Sequence, residues 1–455
     1  MTSQLNLDNL QAYADSCRKI ADDNFRGMDL AAVEAETDSF NAYPGLDRLS
    51  DPRSLIMMEN RLSEALRERA RRAIIDGQVF WEHTAAGEAT RLKLGPKYLI
   101  HPHRVHLGHD YLADGLREPA QAGGDDAASW NRYEGQLVQP QKLLPLTLGA
   151  RHMLQWAFEI SRLAEEYGLD PEVVLNRQKT LLVVNEQCQA DICGSILEAD
   201  FLGLDPRNFL FMVQPSFWGL RPASEGWRYD HNTARRLHNH GQLVMQKTMD
   251  GQIFHLDRGS VRHYLSQADY FALLDSSSDL VSYNIEDLGY LTGALDFDTV
   301  GLALDLGDEG FGMTMEIVAN NPLHPIKGGL CAFDPALGRD VVIESFRLRN
   351  LSPEKIGHLN KNFNHYPSPT RVFRRLHEEG LFMPVTVKDE GLYFQPVQGD
   401  LNFLTETAFI TRKIPAPIKS WKSPEDTASA LEAMSRQDGQ DGFADFVKKT
   451  AQKIQ

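Results

Sequence analysis

The chain is short of the features that would place it in several large functional classes. Its four cysteines, Cys17, Cys188, Cys193 and Cys331, are too few for a disulfide framework. Cys188 and Cys193 have no second pair beside them, so they are not spaced as a structural zinc site. Positive charge is outweighed: 47 lysines and arginines against 63 aspartates and glutamates leave a formal net charge of −16. That balance argues against a general nucleic-acid or anionic-membrane surface, and neither kind of partner is expected. No apolar run approaches the length of a membrane span, and the opening residues, Met1-Thr2-Ser3-Gln4-Leu5-Asn6, lack the basic and apolar stretches of a secretion signal. The expected setting is therefore reducing and cytoplasmic. There is no internal repeat. An anionic ligand would need a local basic pocket.

Such a pocket has a candidate in the loop Thr84-Ala85-Ala86-Gly87-Glu88-Ala89-Thr90-Arg91-Leu92-Lys93-Leu94-Gly95-Pro96-Lys97. It follows Val79-Phe80-Trp81, an apolar run that reads as a buried strand ending in a turn. Small residues at 85–87 and 89 let a backbone come close to a ligand, and successive N–H groups there can cradle phosphate oxygens. Arg91 and Lys97 add fixed positive charge. The loop is neither a Walker loop, lacking the Gly-Lys-Ser/Thr ending, nor a GxGxxG turn.

Along the chain, residues 1–76 read as a helical segment. Leu55, Met58, Leu62, Ala65, Leu66 and Ala73 keep close to a helical period, opposite a solvated face of Arg61, Glu64, Arg67, Glu68 and Arg71. Breaker residues fill 115–136, and after Leu148-Gly149 an amphipathic helix carries Met153, Trp156, Ala157, Ile160, Leu163, Ala164 and Tyr167 at helical spacing, with Gly168 where its cap belongs. Strands are expected at 180–184, 208–213, 280–285 and 312–318, several of them continuously apolar, as in strands covered on both faces. Alternation with helices predicts an α/β fold with a mainly parallel sheet. Ligands in such sheets sit beyond the carboxyl ends of the strands. The loop at 84–97 and the strand ends at Asn185, Gln214 and Glu286 are thus expected to share one site.

Several further segments fall in a telling order: Asn185-Glu186, Phe211-Met212-Val213-Gln214, His240-Gly241-Gln242, Tyr283-Asn284-Ile285-Glu286-Asp287-Leu288-Gly289, Met315-Glu316-Ile317, Ile326-Lys327-Gly328-Gly329, Val342-Ile343-Glu344, Phe363-Asn364 and Thr405-Glu406-Thr407-Ala408, with Lys422 beyond. Together with the 84–97 loop, this collinear set resembles the UDP-glucose pyrophosphorylases over about residues 78–422. Two departures stand out. Ala89 occupies the place of a family glycine, and Asn-Ile-Glu-Asp replaces the family's Asn-Ile-Asp-Asn.

The resemblance implies a Rossmann-like (GT-A-like) nucleotidyltransferase fold with a mixed, mainly parallel sheet. Its expected parts are a helical N-terminal segment (1–76), a catalytic domain (77–385) and a small C-terminal region (386–455). It implies transfer of a uridylyl group from UTP to a sugar 1-phosphate. Lys327-Gly328-Gly329 leans toward glucose 1-phosphate. The alternatives are an N-acetylglucosamine or broad-range enzyme, or a weakened relative that binds UDP-sugar. Arg91, Lys97 and Lys327 are the implied phosphate clamps. Ala85, Ala86, Gly87, Glu88, Ala89, Thr90, Gln214, His240 and Gly241 would hold the nucleotide, with the Gln214 amide able to pair with a donor and an acceptor on the base. Asn284, Glu316, Glu344 and Asn364 would reach sugar hydroxyls; for Glu316 the competing reading is a strand-edge carboxylate with a structural partner. Mg²⁺ would sit on Glu286 or Asp287, which point to opposite faces if the strand stays extended, strict register favouring Glu286. His101, His103, His106 and His109 lack the i, i+4 pairing of helical zinc sites and are expected to form a polar segment beside the loop.

Overall fold

The computed structural model describes residues 9–85, 96–104, 143–285, 294–320, 329–348, 357–413, 424–440 and 442–454. Twelve strands among them form one mixed sheet. The Val79–Thr84 strand lies inside it, parallel to Lys179–Asn185 on one side and to Asp279–Asn284 on the other. Phe209–Gln214 adds parallel to Lys179–Asn185, followed by Ile253–Leu256 in the antiparallel sense. On the opposite flank His358–Pro367 is antiparallel to both Asp279–Asn284 and Met313–Ala319. Thr407–Thr411 then pairs parallel with Met313–Ala319, and Ile56–Met57 closes that edge. A separate four-stranded sheet joins Leu220–Ala223, Gly226–Tyr229, Gly391–Phe394 and Val385–Lys388.

The apolar runs become central strands because both faces are covered, each side chain alternating between two layers. Trp81, Leu182, Val184 and Phe211 pack toward the helix Leu148–Glu166. Phe80, Leu181, Val183 and Met212 pack toward the Asn239–Gln246 and Gln267–Asp275 helices and the N-terminal helix Leu10–Phe25. Thr147 caps the Leu148–Glu166 helix by accepting the Ala150 N–H at 3.1 Å, and Gly168 adopts φ +67 at its end.

One expected helix is shorter than its sequence pattern. The helix over 55–74 starts only at Glu64, where Ser63 caps it, and runs to Ile75. Ile56 and Met57 instead pair with Ile410 and Thr411, so a tertiary strand contact overrides local helical periodicity. The N-terminal helices join the core through Tyr13, Cys17, Ile20, Phe25 and Val33. At the other end, Asp438 on the helix Pro424–Gln440 meets Arg151 through a bidentate pair at 2.8 and 2.5 Å, both side chains buried. Strands from residues before 76 and after 386 thus belong to the main sheet. No helix among the described residues is long and apolar enough to cross a membrane.

Candidate functional site

Strand register aligns the ends of the parallel strands. Thr84 stands opposite Val183 and Asn284, and Asn185 stands opposite Gln214. On the far flank, Asn364 stands opposite Ser282 and Met315, beside Glu316. Gln214, Asn185, Ala85 and Asn284 therefore line one edge of the sheet, the edge expected to bind ligand, while Asn364 and Glu316 lie within their strands, Asn364 level with Ser282. Ala86, Gly87, Glu88, Ala89, Thr90, Arg91, Glu286, Asp287 and Lys327 lie outside the described residues, as do His106 and His109.

Ala85 is fully buried, its N–H on Val183 O at 2.7 Å. Lys97 is buried at the head of the short turn Lys97–Leu99. The next residue, Tyr98, comes within 6.4 Å of the His83 ring and lies against Gly149, where a Cβ would stand 2.1 Å from the tyrosine ring. The turn is thereby pinned beside the end of the Val79–Thr84 strand. His83 itself stacks on Tyr283 at 4.7 Å, and burial holds its pKa well below the usual histidine range, so it is neutral packing.

Gln214 is buried, and its amide nitrogen is occupied within the protein. Nε2 donates to Asn239 O at 3.0 Å and to Gln242 Oε1 at 3.2 Å. Gln242 in turn donates to Pro215 O at 3.0 Å, and Gln246 to Val213 O at 2.8 Å. With both amide hydrogens spent, Gln214 offers a ligand an acceptor rather than a donor–acceptor pair. His240 and Gly241, in the first turn of the Asn239–Gln246 helix, stand beside it. His240 Nδ1 accepts the Gln398 N–H at 2.9 Å, and burial pushes its pKa down to about 4. It therefore presents a neutral ring near neutral pH, not a cation.

Gly241 has a packing reason of its own. Its N–H reaches Pro396 O at 2.9 Å, and a Cβ would fall 2.3 Å from Pro396 C and 2.4 Å from Val397 N. Backbone cannot step aside as a flexible side chain can. Gly241→Ala is expected to destabilise the fold by about 3 kcal/mol, the upper part of the overpacking range. Urea unfolding measures it, and an alanine variant as stable as the parent would contradict this close approach.

Glu316 is buried and holds Arg412 at 3.3 Å. Arg412 also reaches Asp296 at 3.0 Å and Thr299 Oγ1 at 2.5 Å. The structural partner weighed for Glu316 thus exists, and it brings a guanidinium to the sheet edge. Asn364 is buried, and its Oδ1 accepts no hydrogen bond from the described residues. Asn284 is exposed at its strand end. Glu344 follows the Arg339–Ile343 strand and faces Gly329 and Gly399.

The turn beginning at Gln398 links these parts, and no sequence pattern singled it out. Its backbone N–H holds His240, while its side chain donates to Tyr366 Oη at 2.6 Å and reaches Ser282 Oγ at 3.5 Å. Ser282 donates to Glu82 at 2.7 Å, and Glu82 carries a buried ion pair with Lys247. No group of three or more metal-ligating side chains occurs among the described residues.

No protein-family model and no curated protein sequence matches the chain. Solved structures do. One is the uridine diphosphate N-acetylglucosamine pyrophosphorylase of Trypanosoma brucei in complex with an inhibitor, at 13% identity and a TM-score of 0.54, covering 89% of this chain and 74% of that one. A second is a putative UDP-N-acetylglucosamine pyrophosphorylase of Entamoeba histolytica, at 14% identity, TM-score 0.52, and 83% and 86% coverage. A third is a variant of the Leishmania major UDP-glucose pyrophosphorylase in complex with UDP-glucose, at 12% identity, TM-score 0.53, and 91% and 74% coverage. The chain shares their α/β fold.

Proposed function

We propose that this chain is a uridylyltransferase that forms a UDP-sugar and pyrophosphate from UTP and a sugar 1-phosphate. The observation that carries this reading is the placement of separated segments on one sheet. Gln214 and Asn284 end parallel strands at its carboxyl edge, His240 lies in the helix turn beside Gln214, and Asn364 and Glu316 lie on strands farther along, in a fold shared with pyrophosphorylases. Neighbours of both sugar specificities superpose about equally, with TM-scores of 0.54 and 0.53. The preference for glucose 1-phosphate therefore rests on Lys327-Gly328-Gly329.

In the proposed reaction a phosphate oxygen of the sugar 1-phosphate attacks the α-phosphorus of UTP in line. The bond between the α-phosphorus and its bridging oxygen breaks, and pyrophosphate leaves with that electron pair. No covalent enzyme intermediate is needed, so positioning and charge neutralisation carry the catalysis. Arg91 and Lys97 hold the triphosphate and the departing pyrophosphate, while Lys327 sits between the two reacting phosphates. The neutral His240 orients without adding charge. Mg²⁺ would be held by Glu286 or Asp287, hard oxygen donors that follow Ile285, whose N–H reaches Thr84 O at 3.1 Å at the end of the neighbouring strand. When bound, the ion would shield phosphate charge.

Base selection supplies the experiment. An acceptor at Gln214 suits the N3–H of uracil, whereas the unprotonated N3 of cytosine is itself an acceptor. Gln214→Ala is expected to reduce the preference for UTP over CTP by roughly tenfold, the worth of one hydrogen bond with its desolvation term. Calorimetric titration of both nucleotides measures it. Unchanged selectivity would move base recognition to the backbone at 84–89.

A further inference from the structure

The helix Asn239–Gln246 begins in a turn that is held from two sides. Asn239 has φ +52, a left-handed conformation that asparagine tolerates better than most residues. Its carbonyl accepts the Gln214 amide at 3.0 Å, which ties the turn to a strand end. From the other side, the Gly241 N–H reaches Pro396 O at 2.9 Å, and the Gln398 N–H reaches His240 Nδ1, also at 2.9 Å. His240 therefore lies between Gln214 and a segment 158 residues farther along the chain.

The second hold follows from local structure. Gln398 opens the 3₁₀ turn Gln398–Phe403, and the leading N–H groups of such a turn have no partner within it. His240 Nδ1 satisfies the first of them. The buried Gln398 side chain fixes where that N–H points, because it is tied to two strands of the main sheet. It donates to Tyr366 Oη on His358–Pro367 at 2.6 Å and reaches Ser282 Oγ on Asp279–Asn284 at 3.5 Å.

A backbone N–H can only donate. Nδ1 must therefore keep its lone pair, and the imidazole proton sits on Nε2. The same bond excludes the imidazolium, in which both nitrogens are donors. The ring offers a ligand one polar group, a neutral N–H at Nε2, and that group suits an oxygen acceptor.

We propose that Gln398 is a positioning residue whose backbone N–H holds His240 in the Nε2–H tautomer, so that the ring donates a hydrogen bond to an oxygen of UTP. The ligand in this proposal rests on the uridylyltransferase reading. The alternative is that Gln398 only packs the 396–398 segment against the sheet, in which case its N–H has no effect on the nucleotide beyond the stability of the fold.

Two substitutions separate the N–H from the side chain. Gln398→Ala keeps the N–H and loses the amide, whereas Gln398→Pro loses both. Proline suits the backbone there: it is favoured at the first helical position, and Val397 already has the extended conformation, φ −123 and ψ 142, that a following proline requires. Nitrogen NMR of the His240 ring in the parent is expected to show one neutral tautomer near neutral pH, protonated on Nε2. In Gln398→Pro a mixture of both tautomers is expected. An Nδ1–H or charged ring in the parent overturns the proposal, a result that needs no variant to fold, and so does a ring that proline leaves unchanged. UTP binding, measured by calorimetry, is expected to be about tenfold weaker in Gln398→Pro than in Gln398→Ala, the worth of one well-placed donor. With His240→Ala added to both, that difference is expected to vanish, because the N–H then has no ring to set. A difference that survives removal of the imidazole overturns the proposal and leaves Gln398 as packing. If the tautomer responds as expected but none of these proteins binds UTP, the hold on His240 stands and the uridylyltransferase reading falls.

Discussion

Lys97→Ala is expected to lower the rate of uridylyl transfer by about 10² to 10³, while the protein stays folded. A preorganised cation aimed at charge that develops in the transition state is worth about 3–4 kcal/mol. Lys97 has the required rigidity. It is buried, its turn is anchored by Tyr98 against Gly149, and the following Ile100 carbonyl accepts the Leu148 N–H at 2.7 Å. A solvated surface lysine would lose far less on truncation, because water screens it. The same loss is expected for Lys327→Ala. Turnover at saturating substrates, read beside a thermal melt, checks both. A tenfold or smaller loss in both variants would remove these lysines from the phosphate clamp.

The largest expected effect on stability is at Glu82. It sits within the Val79–Thr84 strand, 97% removed from solvent, and pairs with a fully buried Lys247 from 165 residues away in sequence. The lysine ammonium lies 4.3 Å from the Phe373 ring centre, and burial lowers its pKa against the pull of Glu82. Glu82→Ala strands that ammonium among aromatic rings and is expected to cost about 3–5 kcal/mol. Replacing both partners, Glu82→Leu with Lys247→Met, is expected to recover most of it, since the two apolar groups remove the unpaired charge and leave only the Ser282 hydroxyl without its acceptor. Denaturant titration of the two variants decides the matter. A double variant as unstable as Glu82→Ala would show that the pair does more than satisfy itself.

Much of the fold was legible because its central strands are continuously apolar. The strands expected at 180–184 and 312–318 are Lys179–Asn185 and Met313–Ala319, each with a parallel neighbour, Phe209–Gln214 and Thr407–Thr411 respectively. Of the short polar segments after those strands, Asn185, Gln214 and Asn284 stand at the strand ends. What the sequence hid are contacts between distant partners. Gln398 holds His240 across 158 residues, and nothing in Pro396-Val397-Gln398-Gly399 marks it as a link. Arg412 follows an apolar strand as an ordinary polar stop, yet it balances Glu316. Ile56 and Met57 carry a helical pattern and still pair as a strand, because the sheet edge at Thr407–Thr411 offers hydrogen bonds that a local helix would leave unused. Gly241 read as a ligand-facing glycine, and its closest neighbours are Pro396 and Val397.

The most direct test of uridylyl transfer is pyrophosphate release from UTP and Mg²⁺ with a panel of sugar 1-phosphates, followed with simultaneous detection of the nucleotide sugar. UTP-dependent release with glucose 1-phosphate is expected, with one UDP-glucose formed for each pyrophosphate and little reaction with CTP. No pyrophosphate from any sugar 1-phosphate, in a protein that still binds UDP-glucose, would contradict uridylyl transfer and leave a nucleotide-sugar-binding protein in place of an enzyme.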